Sequence, residues 1–342
     1  MPRFHWLLVL PYVLAFPGLN VKLGSPRRLA ASPALATVHR LEALKADSLA
    51  IALHFVDVAL GAASADGFTA STAAKLSGLT QLLTGGSGII APPTPATVRQ
   101  LEETINRTQD FYSMLDSNIA SVTWNSPVLP EVDRQKVDLV DSYDKLLDLY
   151  RSHLTQTGDA EAEAEVYAYD LMADTELIAL HSCFLLADVN PSVQREKIVS
   201  YEKRINTLRE SLLWGDVVHS IADLSEVCAL QSMLEVSRSW LSLIGHVQPL
   251  RAQQGVVSDA STRTALAKVI SEGAHDLRAK LDIFAVQISE PACNPSLLDA
   301  SGWKSGITET NKFRELVAAS TRVFLQACRS LKTESRLRNV SK

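Results

Sequence analysis

Between Val98 and Ile119 apolar residues return every three or four positions, and the same stripe returns from Val227 to Ile244. The first set is Val98, Leu101, Ile105, Thr108, Tyr112, Leu115 and Ile119. The second is Val227, Leu230, Leu234, Ser237, Leu241 and Ile244, again with a small hydroxyl in the middle. This spacing keeps one side of an α-helix against a partner. A chain that writes it twice, in helices of the same order, is constrained to an all-α fold built from two copies of one module.

The duplication is plainest in the helix that opens each copy. Ala46-Asp47-Ser48-Leu49-Ala50-Ile51-Ala52-Leu53-His54 is matched by Ala173-Asp174-Thr175-Glu176-Leu177-Ile178-Ala179-Leu180-His181, with six identical pairs. Identities at a fixed offset point to an internal repeat, whereas apolar stripes alone align at many offsets. In the first copy the pattern predicts helices over Thr37 to Ala63, Thr69 to Thr84, Pro95 to Ser121 and Glu131 to Leu154. Gly67 is expected to end the first, and Thr94 with Pro95 to start the third. In the second copy Asn190-Pro191 opens the second helix and Gly215 ends it, and the fourth runs from Asp259 to Ser289. A further amphipathic helix is expected from Glu309 to Leu331, with Phe313, Leu316, Ser320, Val323 and Ala327 on its apolar side. The fold expected is two tandem up-down four-helix bundles plus a C-terminal helix. The divisions are 1–32 signal peptide and linker, 38–157 first bundle, 159–289 second bundle, and 306–333 C-terminal helix.

The leader carries Arg3 and then an apolar run from Trp6 to Phe16, too short to cross a bilayer but the form of a secretory signal. No later segment has the unbroken apolar length of a span, so the mature chain is expected to be secreted, without a membrane span. Net charge is −5, with acids and bases interspersed, which offers no basic field for nucleic acid. In an exported chain, four cysteines suggest two disulfides, with buried free thiols the alternative. In an up-down bundle Cys183 and Cys228 fall at opposite ends, roughly 25–30 Å apart, far beyond the ~7 Å a disulfide allows. The expected pairs are therefore Cys228–Cys293 and Cys183–Cys328. Asn106-Arg107-Thr108 and Asn339-Val340-Ser341 are glycosylation sequons.

Catalytic patterns are missing from the sequence. No Cys-x-x-Cys or His-x-x-x-His run suggests a metal, and no Gly-x-Ser-x-Gly element marks a hydrolase. Gly85-Gly86-Ser87-Gly88 lacks the Gly-Lys-Ser/Thr ending of a phosphate loop. His54 and His181 hold matching places and read as structural polar plugs. No cofactor, metal or enzymatic activity is expected.

Met172-Ala173-Asp174-Thr175-Glu176-Leu177-Ile178-Ala179-Leu180, with Lys45 to Leu53 as a weaker version, resembles the run that opens PilJ-type, or NarX-like N-terminal, sensor domains. Leu79 to Gly85 followed by Pro92-Pro93-Thr94-Pro95 is similar to that family's Leu-x-x-Leu-x-x-Gly turn, prolines and next helix. The two copies would cover residues 38 to 289. The resemblance implies a non-enzymatic sensor module and a small oxyanion such as nitrate, read by an arginine in a Gly-Arg-Gln-Arg-Met-Leu-Ser-Gln motif. Here the corresponding stretch runs from Thr37 to Leu44 and keeps only Arg40 and Leu41; Tyr167 stands at the place of Arg40 in the second copy. Arg40 and Lys45, with His39 beside them, are the candidate ligands, because a cation must offset the desolvation of an anion. The expected partner is a small anion or another protein; a secreted structural or adhesion role is the alternative.

Overall fold

A computed structural model describes residues 33–85, 94–154, 160–216, 221, 224, 227–252, 257 and 259–289. The leader, Cys293, Cys328, Asn339 and the helix expected from Glu309 to Leu331 lie outside the described residues. The described chain is all-α: α1 (Pro33–Ala59), α2 (Phe68–Thr84), α3 (Pro95–Asn118), α4 (Val128–Leu154), α5 (Ala160–Leu186), α6 (Pro191–Trp214), α7 (Val227–Ala252) and α8 (Ala260–Ser289). There is no strand among these residues, only an isolated bridge between Asp216 and Ile221. No described helix is long and apolar enough to cross a membrane.

Local chemistry explains most of the boundaries. Thr94 caps α3 by accepting from the Thr97 amide at 3.1 Å, and Pro95 fills the first helical position, where a missing N–H costs nothing. The end of α1 differs from expectation. It comes at Ala59, because Gly61 rather than Gly67 takes the left-handed conformation there, at φ 73°. The Gly61 amide donates to Val58 O at 3.0 Å and the Ala62 amide to Asp57 O at 2.7 Å. This is a Schellman ending, which satisfies carbonyls that the helix leaves open. Gly67 is also left-handed, but as the residue before α2. Asn190 likewise precedes α6 in the left-handed region, at φ 46°, and its side chain caps nothing.

Packing then orders the helices. α1 lies against α2 and α4, α2 against α3, and α3 against α4. In the other half α5 lies against α6 and α8, and α7 against α8, while the backbones of α6 and α7 stand apart and are bridged by long side chains. The two halves meet where α1 packs along α5. As a result every residue from Asp170 to Ala187 is buried. Helix faces respond to these neighbours. Because α7 packs mainly on α8, its buried positions include Met233, Val236, Trp240, Leu243 and Val247 beside Leu230, Ser237 and Ile244 of the expected stripe, and Leu234 and Leu241 are only half-buried. In α2, Leu79 and Leu82 are buried and Leu83 is half-buried.

The candidate site and the ionic seam

Since α6 and α7 stand apart, a cleft of about 80 Å³ opens between them. Leu213, Trp240, Leu241 and Ile244 form its apolar walls, and Asn206, Arg209, Glu202, Glu210 and Gln248 supply the polar lining. Positions 202, 206, 209 and 213 share one side of α6 through steps of three and four. Arg209 is buried, and it donates to Ser237 Oγ at 2.7 Å and to Asn206 Oδ1 at 3.2 Å. Asn206 Oδ1 also accepts from Trp240 Nε1 at 3.0 Å. With that oxygen engaged twice, the Nδ2 hydrogens are what Asn206 can still offer. Gln248 donates to Glu202 at 2.9 Å, and Arg251 pairs with the same carboxylate. The cleft thus has a floor that mixes amide and guanidinium donors with two carboxylates, an apolar wall and room for about six water-sized groups.

The residues named from sequence do not converge. His39 Nε2 lies 3.0 Å from Glu165 Oε2 on α5 and its ring packs on Tyr169. Arg40 is exposed, and its guanidinium lies over α2, where a β-carbon at Gly78 would stand 2.8 Å from Nη2. Lys45 is buried and ion-paired, with Asp144 at 2.6 Å and Glu42 at 3.7 Å. Three neighbouring side chains therefore serve three different interfaces. Sequence reasoning passed over Asn206, Arg209 and Trp240; the available signal was the 202-206-209-213 row, polar along a face that ends in Leu213.

Around α1 and α5 runs a seam of buried charge. Arg151 reaches Glu42 at 2.5 Å and Asp170 at 3.0 Å, Arg204 reaches Asp174 at 3.1 Å, and Arg278 pairs with Asp47 and lies 3.6 Å from Glu176. Burial pushes Glu42 up to about 8; Asp170 adds to the shift, and Lys45 and Arg151 oppose it. Burial also lifts Asp174 to about 7 against Arg204, and Glu176 to about 7 against Arg278. Asp57 rises to about 7 through burial, opposed by hydrogen bonds from Ser271 and Cys183. Asp170 is buried too, yet Arg151 and Lys45 hold it below the usual carboxylate range.

A second polar cluster joins α4, α5 and α6. Lys136, 2% exposed, contacts Asp133 Oδ1 at 2.7 Å and His181 Nε2 at 3.4 Å. His181 Nδ1 donates to Gln194 Oε1 at 2.5 Å, and Gln194 returns a bond to Asp133 at 2.9 Å. Burial, with Lys136 adding to it, drives His181 down to about 3. His54 meets Ser64 O at 2.8 Å, so both repeated histidines are satisfied structural groups. No described group of His, Cys, Asp or Glu could hold a metal ion.

Cys183 corrects the expected disulfides. It is a free, buried thiol that donates to Asp57 Oδ1 at 3.6 Å, so the Cys183–Cys328 bond is not made. Its helix is enclosed on all sides, which sets it against Asp57 of α1. Cys228 is disulfide-bonded. Asn106 is exposed on α3, while Thr108 of its sequon is buried and donates to Thr104 O at 2.7 Å.

No family model matches the sequence, and neither a curated protein nor a solved structure does.

Proposed function

We propose that this chain is a non-enzymatic, sensor-like binding module made of two tandem four-helix bundles, and that it seats a small ligand between α6 and α7. The observation that carries the reading is the cleft itself, whose floor of Asn206 and Arg209 faces an apolar wall around Trp240. Such a lining suits a compact molecule rich in acceptors, such as nitrate or another small oxyanion, because buried donors repay the loss of its hydration. The resemblance to PilJ-type, NarX-like sensor domains supports the same class of ligand, and the apolar leader supports export. Helix neighbours within each half support the tandem bundles, since α1 to α4 close a ring by packing and α5 to α8 close one through side chains that bridge α6 and α7. Exposed Ile283 and Val286 on α8 favour a second reading, in which a protein partner or an adhesion surface is engaged instead.

Calorimetry on the full chain with nitrate and acetate tests the proposal. Binding should vanish in Asn206→Leu and persist in Arg40→Ala. Binding lost in Arg40→Ala but kept in Asn206→Leu would move the seat to the start of α1. No heat with either anion would favour the protein-partner reading.

A further inference from the structure

Among the described residues, the seam between the halves holds more buried acid than fixed positive charge. Six carboxylates on α1 and α5 are buried: Glu42, Asp57, Glu165, Asp170, Asp174 and Glu176. Among the described residues, the permanent cations that reach them are Lys45 on α1, Arg151 from α4, Arg204 from α6 and Arg278 from α8. These cations are also shared outward. Lys45 serves Asp144 of α4, and Arg278 serves Asp47, which also holds Lys75 of α2 at 2.6 Å. The other polar faces are Tyr201 of α6 near Asp174, and Ser271 and Asp282 of α8 near Asp57 and Arg278, with His39 against Glu165. An unpaired ionised carboxylate in so dry a place costs several kcal/mol even after relaxation. The seam therefore cannot stay shut with every carboxylate charged.

We propose that the α1–α5 seam is a proton-operated latch, shut while some of its carboxylates carry protons and loosened once all are ionised. Glu42, Asp57, Asp174 and Glu176, raised by burial, are the groups that hold those protons near neutral pH. Loosening follows alkalinisation, because each proton released leaves a charge with no new partner. The effect belongs to α1 and α5. α3 serves as an internal reference, since its buried polar groups are the hydroxyls Thr97, Thr104 and Thr108 together with Tyr112.

Amide hydrogen exchange on the full chain, near pH 6 and near pH 9 and corrected for intrinsic rates, tests the latch. At the higher pH, α1 and α5 should lose protection roughly tenfold more than α3, the ratio that one pKa unit of one carboxylate sets. Glu42→Gln with Glu176→Gln, which fixes the protonated form at two of the four groups, should shrink the difference to the part that Asp57 and Asp174 carry. Equal loss in all three helices overturns the latch, and so does a full difference in the double variant. If that variant does not fold, carboxyl NMR of the wild type decides. At least one buried glutamate titrating above about pH 6 supports the latch, and all titrating below about pH 5 overturns it.

Discussion

Asp188 closes α5 with the turn that Gly61 uses to close α1. The Asp188 amide donates to Leu185 O at 3.3 Å and the Val189 amide to Phe184 O at 2.9 Å, as Gly61 and Ala62 do to Val58 and Asp57. Both residues are left-handed, at φ 61° and 73°. A side chain in that region is strained where glycine is not. Asp188→Gly is therefore expected to stabilise the protein by about 0.5–1 kcal/mol, the left-handed penalty less the extra chain entropy of glycine, read as a higher melting temperature. An unchanged or lower melt would contradict the strain.

The repeat extends to an ion pair. Lys75 holds Asp47 at 2.6 Å, and Arg204, at the equivalent place in α6, holds Asp174 at 3.1 Å. Much of this could be read from sequence, because caps, prolines and repeated identities act locally. Pro95, Pro191 and Gly215 mark helix ends without knowledge of the fold. The α1–α5 seam could not be read, since periodicity shows that a face is buried but not what buries it. Lys45, Asp170 and Asp174 have the sequence look of a solvated face, and only packing shows otherwise. The same gap misplaced Leu234 and Leu241, and it concealed Cys183 inside α5.

Core positions on matching stripes should be costly to truncate. Leu101 and Leu230 are both fully buried. Leu101→Ala and Leu230→Ala should each cost about 2–5 kcal/mol through lost transfer energy and the cavity left behind. Chemical denaturation with an unchanged slope measures this, and a loss below about 1 kcal/mol would place the stripe at an exposed surface.

His181 should give the protein an acid-sensitive limb. Its folded value is depressed, so the unfolded chain takes up the proton first. Its contribution is present above the unfolded pKa of about 6.5 and is lost as pH falls toward about 3. Melting wild type beside His181→Gln isolates this limb, because the carboxylates are common to both. The difference in stability should shrink as pH drops from about 7 to about 4; a constant difference would show that His181 is not buried neutral.

Cys183 should be silent in the native state. Burial raises its thiol well above the usual range, with Asp57 adding to the shift, and the thiolate is the reactive form. A thiol reagent should find it unreactive until denaturant is added. Fast reaction of Cys183 in buffer would mean that α5 is open to solvent.

The binding seat is tested most directly at the Trp240 indole. Its Nε1–H donates to Asn206 in the floor of the cleft, so a molecule entering there must disturb that proton. In a ¹⁵N-labelled full chain, Trp240→Phe assigns the indole peak, and titration with nitrate should shift it in a saturable way. The peaks of Trp124 and Trp214, outside the cleft, should stay in place. A Trp240 signal that stays fixed while calorimetry records binding would contradict the α6–α7 seat.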